Sequence, residues 1–185
     1  IGENCPEHSA CKILLTQENL MMRLRLDPYG PARYARGFRM DFSAVRRNET
    51  SPLTGHKTLN YGDCILEHRA AAAAGMDERI FLNMRGKLAE GTVSNLFLVS
   101  GGRIYTPALS CGLLPGVLRS YLLERYRVEE GEIDPRELEN FDECFVTNSL
   151  MGVMPVRQLG ERVFPSRETA DRLRSAYEAE KGTLQ

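Results

Sequence analysis

The run Glu90-Gly91-Thr92-Val93-Ser94-Asn95, read together with His56-Lys57-Thr58-Leu59-Asn60-Tyr61 ahead of it, decides the fold of this chain. A lysine is the side chain that forms a Schiff base with an aldehyde, and a carboxylate is the natural partner of a protonated ring nitrogen. Taken alone, Lys57 reads as a solvated surface charge and Glu90 as an exposed charge at a strand end. Two further segments then follow in order, Gly112-Leu113-Leu114-Pro115-Gly116-Val117-Leu118-Arg119 and Thr147-Asn148-Ser149-Leu150-Met151-Gly152-Val153-Met154-Pro155-Val156. Each is weak alone; four in this order form one constellation.

Around these segments the chain is ordinary. Its 185 residues suffice for one well-buried domain, or one domain with part of another. A hydrophobic fraction of 42%, a charged fraction of 26% and a formal net charge of -1 are those of a soluble globular protein. Such a charge offers no long-range attraction for nucleic acid or an anionic membrane, so neither is expected as a partner. Apolar stretches such as Ala70 to Met76 fall far short of the roughly 20 residues that cross a bilayer. The five cysteines, Cys5, Cys11, Cys64, Cys111 and Cys144, are scattered and never form a Cys-x-x-Cys pair, which favours reduced thiols in the cytoplasm. His8, His56 and His68 have no metal-ligand spacing, and no metal is assigned.

The local patterns predict strands at Lys12 to Thr16 and Met22 to Leu26, then a break at Asp27-Pro28-Tyr29-Gly30-Pro31 where two prolines and a glycine stop both helix and strand. A new strand is expected at Gly37 to Ser43. Asn60 to Met76 reads as a helix closed by Gly75, which places Lys57 just ahead of it. Further strands are expected at Arg79 to Asn83 and Ser94 to Val99, the latter turning at Gly101-Gly102 into Arg103 to Thr106. Pro115 to Tyr126 reads as an amphipathic helix and Asp134-Pro135 as the start of a short one. A buried strand at Glu143 to Thr147, a hairpin through Gly160 and a final helix after Ser166 complete the pattern.

From about Arg23 onward the four segments resemble the class IV, or fold type IV, pyridoxal-phosphate enzymes. That family includes branched-chain and D-amino-acid aminotransferases and aminodeoxychorismate lyase. The resemblance implies a mixed α/β (α+β) fold of the D-amino-acid aminotransferase kind, mostly its larger cofactor-binding domain, with a barrel-like sheet and flanking helices. Residues 1–31 would be the last part of a small N-terminal domain plus linker, and 32–185 the large domain. Pyridoxal 5'-phosphate is the implied cofactor. Lys57 is the implied Schiff-base and acid–base residue, its amine held in a partly desolvated pocket with its pKa lowered toward neutrality. Glu90 is the partner of the ring nitrogen. Val117 and Leu118 supply phosphate-binding backbone N–H groups, Leu118 standing where relatives often have threonine. Ser149 supplies a phosphate-binding hydroxyl, Tyr61 hydrogen-bonds the phenolic oxygen, and Asn95 completes the Glu-Gly-x-x-x-Asn motif. The family's phosphate-gripping arginine would precede Ile1. A homodimer acting on a small amino substrate is also implied.

Within the family, Leu150-Met151-Gly152 stands where branched-chain enzymes usually carry Ala-Ala-Glu, which makes the lyase the nearer match. Elimination of pyruvate to leave 4-aminobenzoate, a step of folate synthesis, is therefore the expected reaction. Transamination of branched-chain or D-amino acids is the alternative, and a non-catalytic remnant domain is a second one.

Overall fold

The computed structural model describes residues 9–183. In chain order the elements are β1 (Ser9–Leu15), β2 (Leu20–Leu26), α1 (Pro31–Arg36), β3 (Phe38–Arg47), α2 (Gly62–Ala73), β4 (Glu78–Asn83), β5 (Leu88–Gly91), β6 (Asn95–Ser100), β7 (Arg103–Pro107), α3 (Val117–Arg125), β8 (Val128–Gly131), β9 (Glu143–Asn148), β10 (Gly152–Leu159), β11 (Arg162–Val163) and α4 (Glu168–Thr183), with 3-10 turns at Leu109–Cys111 and Pro135–Asn140.

β1 and β2 form a two-stranded sheet of their own, and Ile13, Leu15, Leu20, Met22, Leu24 and Leu26 are exposed on it. The other strands make one sheet that closes on itself. Around the ring run β10, β3, β4, β5, β6 and β9, and β9 returns to pair with β10. β7, β8 and β11 extend from this ring. β3 is parallel to both of its neighbours, whereas β9 is antiparallel to both of its own.

Alternation along the ring strands separates two cores. Phe38, Met40, Ile80, Leu88, Leu96, Leu98, Cys144, Val146 and Met154 fill the inside. The intervening Phe97, Val99, Phe145 and Val153 face outward, where Leu118 and Leu122 of α3 and Ala170 and Leu173 of α4 cover them. Phe97 and Phe145 stack there at 4.9 Å with their planes 4° apart. Both faces of β6 and β9 are thus buried, which is why Leu96 to Val99 reads as an unbroken apolar run rather than an alternating one.

The helix expected at Asn60 to Met76 is shorter, because Tyr61 occupies its N-cap and the chain closes through Gly75 N–H to Ala72 O and Met76 N–H to Ala71 O. Three elements lie outside the sequence expectations: α1, β5 and β8. Long-range bonds hold α1 in place. The Tyr34 hydroxyl donates to Met151 O at 2.7 Å, Arg36 forks onto Asp77 at 2.9 and 2.7 Å, and Arg167 donates to the Tyr34 and Ala35 carbonyls. The residues expected to form a linker therefore lead into a helix anchored on the barrel.

Among the described residues Cys11, Cys64, Cys111 and Cys144 are free thiols, and Cys5 and His8 lie outside them. No described helix is long and apolar enough to cross a membrane, and no described cluster of three His, Cys, Asp or Glu side chains is placed to hold a metal ion.

Candidate active site

A β-bulge sets the direction of Glu90. Between the pairs Ile80–Gly91 and Leu82–Leu88 the register of β4 and β5 shifts by one residue. Leu88 points into the barrel, and the shift turns Glu90 to the opposite face, beside its cross-strand partner Asn95. Glu90 is buried there. Its Oε1 accepts from Arg47 Nε at 3.0 Å and from Arg47 Nη2, and its Oε2 accepts from the Leu114 backbone N–H at 3.0 Å. Burial pushes the Glu90 carboxyl above the usual carboxylate range against the pull of the Arg47 guanidinium. Arg47, the last residue of β3, also lies over the Phe81 ring at 5.1 Å.

Leu114 ties this carboxylate to the start of α3. Its N–H serves Glu90, while its carbonyl accepts from Asn95 Nδ2 at 2.8 Å and from Gly116 N–H at 2.9 Å. Gly116 is the N-cap of α3, no side chain caps it, and the first N–H groups of a helix have no partner within it. Val117 and Leu118 therefore present backbone donors at the positive end of the helix dipole. The Leu118 side chain is buried in the outer core and has no part in polar binding. Thr147, paired with Asn95 in register and sharing the outward face with Phe145, carries a buried Oγ1 without a hydrogen-bond partner. A Cβ on Gly116 would collide with Asn95 Oδ1. Gly116→Ala is accordingly expected to cost about 1–3 kcal/mol of stability. Urea unfolding checks this, and Asn95→Ala in the same chain should recover part of the loss.

Tyr61 joins the set through its hydroxyl, which donates to Thr92 O. Burial, then the neighbouring Cys64 and Glu90, push its phenol well up. A cavity of about 220 Å³ opens beside it, lined in part by Arg47, Asn60, Tyr61, Cys64 and Phe81. Lys57 does not sit in a desolvated pocket. Its side chain is exposed on the loop between β3 and α2, which closes through local turn bonds such as Ser51 N–H to Asn48 O and His56 N–H to Leu53 O and is tied to Met84 N–H and Arg85 through Glu49. Ser149 is exposed as well. The buried work at its turn falls to Asn148, whose Oδ1 accepts from Leu150 and Met151 N–H and whose Nδ2 donates to Val93 O at 3.1 Å.

Below the Glu90–Asn95 segment lies Glu78, fully buried. Its Oε1 accepts from Thr92 N–H at 2.9 Å and from Thr92 Oγ1, and its Oε2 accepts from Ser94 Oγ at 3.0 Å. His68 of α2 completes the group, its Nδ1 standing 3.1 Å from Thr92 Oγ1 and 3.9 Å from Glu78 Oε1. Hydrogen bonding to Glu78 raises the His68 pKa above 6.5, outweighing burial. A raised histidine pKa means that the fold favours the charged ring. Its contribution is complete below pH 6.5 and is lost as pH rises through the higher folded value. The melting-temperature difference between wild type and His68→Asn should shrink over that interval.

The structure thus joins Glu90, Asn95, Tyr61 and the α3 start through Arg47, Leu114 and Thr92, and leaves Lys57 and Ser149 on exposed loops. The model of the class IV amino-transferase family matches residues 8–159 of the chain. The chain belongs to this family. Its closed sheet with flanking helices is the fold type IV architecture of pyridoxal-phosphate enzymes. Among class IV relatives, aminodeoxychorismate lyase of Bacillus subtilis is 30% identical over 144 residues, which are 74% of this chain and 49% of that protein. The crystal structure of 4-amino-4-deoxychorismate lyase from Pseudomonas aeruginosa is 31% identical with a TM-score of 0.76, covering 85% of this chain and 60% of that one. The crystal structure of branched-chain aminotransferase from Thermoproteus uzoniensis with norvaline is 26% identical with a TM-score of 0.75, covering 86% and 55%. The chain spans about half the length of the curated class IV relatives it matches.

Proposed function

We propose that this protein binds pyridoxal phosphate and acts as a 4-amino-4-deoxychorismate lyase, releasing pyruvate and 4-aminobenzoate. One observation carries the cofactor reading: a buried carboxylate and an uncapped helix start are fixed at one separation by the two peptide groups of Leu114. That donor set fits the group. The N–H groups of Val117 and Leu118 would hold the phosphate, with the unpartnered Thr147 hydroxyl beside Asn95 and with Ser149 from the turn after β9, and Glu90 would face the ring nitrogen. Bound pyridoxal phosphate supplies a carbonyl for amine exchange and a ring that accepts the electron pair left at the carbon beside nitrogen. In its anionic form Glu90, held by Arg47 and the Leu114 N–H, would accept from a protonated ring nitrogen and stabilise that proton. Lys57 Nζ is the amine that would hold the cofactor's carbonyl carbon, and as a free amine it would serve as the base for the proton on the substrate carbon beside nitrogen. The Tyr61 hydroxyl, fixed on the Thr92 carbonyl, would present its oxygen to the cofactor's phenolic side.

The Asn148-Ser149-Leu150-Met151-Gly152 turn favours the lyase, as do the relatives named for that activity. The norvaline-bound branched-chain aminotransferase favours the alternative, transamination of branched-chain or D-amino acids. Product analysis separates them, since pyruvate with 4-aminobenzoate marks the lyase and a keto acid from an amino donor marks the transaminase. We place the β1–β2 hairpin at the end of a small N-terminal domain and residues 32–185 in the large domain, working in the cytoplasm as a homodimer. Exposed apolar side chains on the hairpin and at Leu59, Ile65 and Leu66 support a partner surface there. Sedimentation of the full natural chain is expected to give a dimer.

A further inference from the structure

Glu78 has no part in the chemistry above, yet a fully buried carboxylate is costly unless its lone pairs are satisfied. Among the described residues His68 is its ion-pair partner, at 3.9 Å, and its closer donors are the Thr92 N–H, Thr92 Oγ1 and Ser94 Oγ. The chain makes room for this arrangement. A Cβ on Gly91 would stand 3.1 Å from Glu78 Cδ and would collide with Ser94 Oγ, so only glycine lets the turn close over the carboxylate. Thr92 looks both ways, its N–H and Oγ1 on Glu78 and its carbonyl receiving the Tyr61 hydroxyl. On either side of this turn stand Glu90 and Asn95, paired across β5 and β6.

We propose that Glu78 is a positioning residue, holding the Gly91–Ser94 turn in the one conformation that presents Glu90 to the cofactor ring and fixes the Tyr61 hydroxyl through the Thr92 carbonyl. The role rests on the cofactor reading above, but the turn itself can be measured without cofactor. A hydrogen-bonded carboxylate suits this task because it accepts three donors in one plane and resists rearrangement, whereas a neutral amide would turn a donor toward Thr92 or Ser94.

The test uses the full natural chain with Glu78→Gln, Thr92→Val and Thr92→Ser, each checked for folding by circular dichroism and melting. In the cofactor-free protein, amide hydrogen exchange across residues 90–95 is expected to quicken roughly tenfold in Glu78→Gln and Thr92→Val, the scale of one charge-assisted hydrogen bond. Thr92→Ser, which keeps the hydroxyl, is expected to restore slow exchange. With pyridoxal phosphate added, the first two variants are expected to bind it roughly tenfold more weakly, as loss of a supporting partner does elsewhere. The pH midpoint of the visible band should also move, although Lys57 is intact. Unchanged exchange across 90–95 in a folded Glu78→Gln protein overturns the proposal whatever the cofactor does. Faster exchange with unaltered cofactor affinity and band midpoint overturns it too, by reducing Glu78 to a structural carboxylate. Faster exchange in a protein whose wild type gives no visible band upholds Glu78 as the holder of the turn and removes the cofactor reading instead. Should Glu78→Gln fail to fold, the isosteric Thr92→Val carries both readouts.

Discussion

Lys57→Ala is expected to abolish the visible absorbance band that forms with pyridoxal phosphate and to lower turnover by at least roughly 10²- to 10⁴-fold, the range spanned by removal of a general acid–base group. Borohydride should fix the cofactor covalently in wild type and leave the variant unlabelled. The fold should not notice the change. Lys57 is exposed on a loop, so its removal is expected to shift stability by less than about 0.5 kcal/mol. A normal melting temperature with a lost band therefore separates chemistry from folding. A band of wild-type strength that borohydride still fixes in Lys57→Ala would move the Schiff base to another lysine.

Glu90→Ala is expected to act on both fold and chemistry. Arg47 would lose its carboxylate and Leu114 N–H its acceptor, while only 20% of the Arg47 side chain remains accessible to water. Breaking a buried pair in this way is expected to cost about 3 kcal/mol, at the low end of its range because Arg47 keeps that partial contact. Activity should fall further than stability explains, since the ring nitrogen loses its proton partner. Glu90→Ala combined with Arg47→Met tests the division. Denaturant unfolding should recover in the double variant because no unpaired charge is left, whereas turnover should not.

The pattern of residues foretold some of this better than the rest. Turns and helix ends were legible because their signals are local. Gly101-Gly102 joins β6 to β7 as expected, and Asp134 with Glu137 forms a capping box at the short helix that Asp134-Pro135 announced. Glu90 was legible as a motif but not as a direction, since strict alternation from Leu88 would turn it inward and only the β5 bulge sends it to Asn95. Arg47 gave no sign at all. It is the second of two adjacent arginines, and its choice over Arg46 depends on pairing with Asn83 across a shifted register. β8 escaped notice because Val128-Glu129-Glu130-Gly131 is polar and takes its strand form from its parallel partner β7. Thr92 and Ser94 are variable positions of the Glu-Gly-x-x-x-Asn motif in sequence, and their hydroxyls go to Glu78, a partner no local spacing reveals.

The closed ring also dictates when the protein can come into being. β3 is parallel to β10, so Phe38 finds Val156 only after almost all of the described chain has been made. A loop of that size is entropically slow to close, and nothing nearer in sequence can stand in for the seam. During synthesis the first ring strand must wait, its pairing edge open, until the last one leaves the ribosome. Slow, late, cooperative assembly follows, with a window in which a holding chaperone is useful to a chain whose finished barrel needs none.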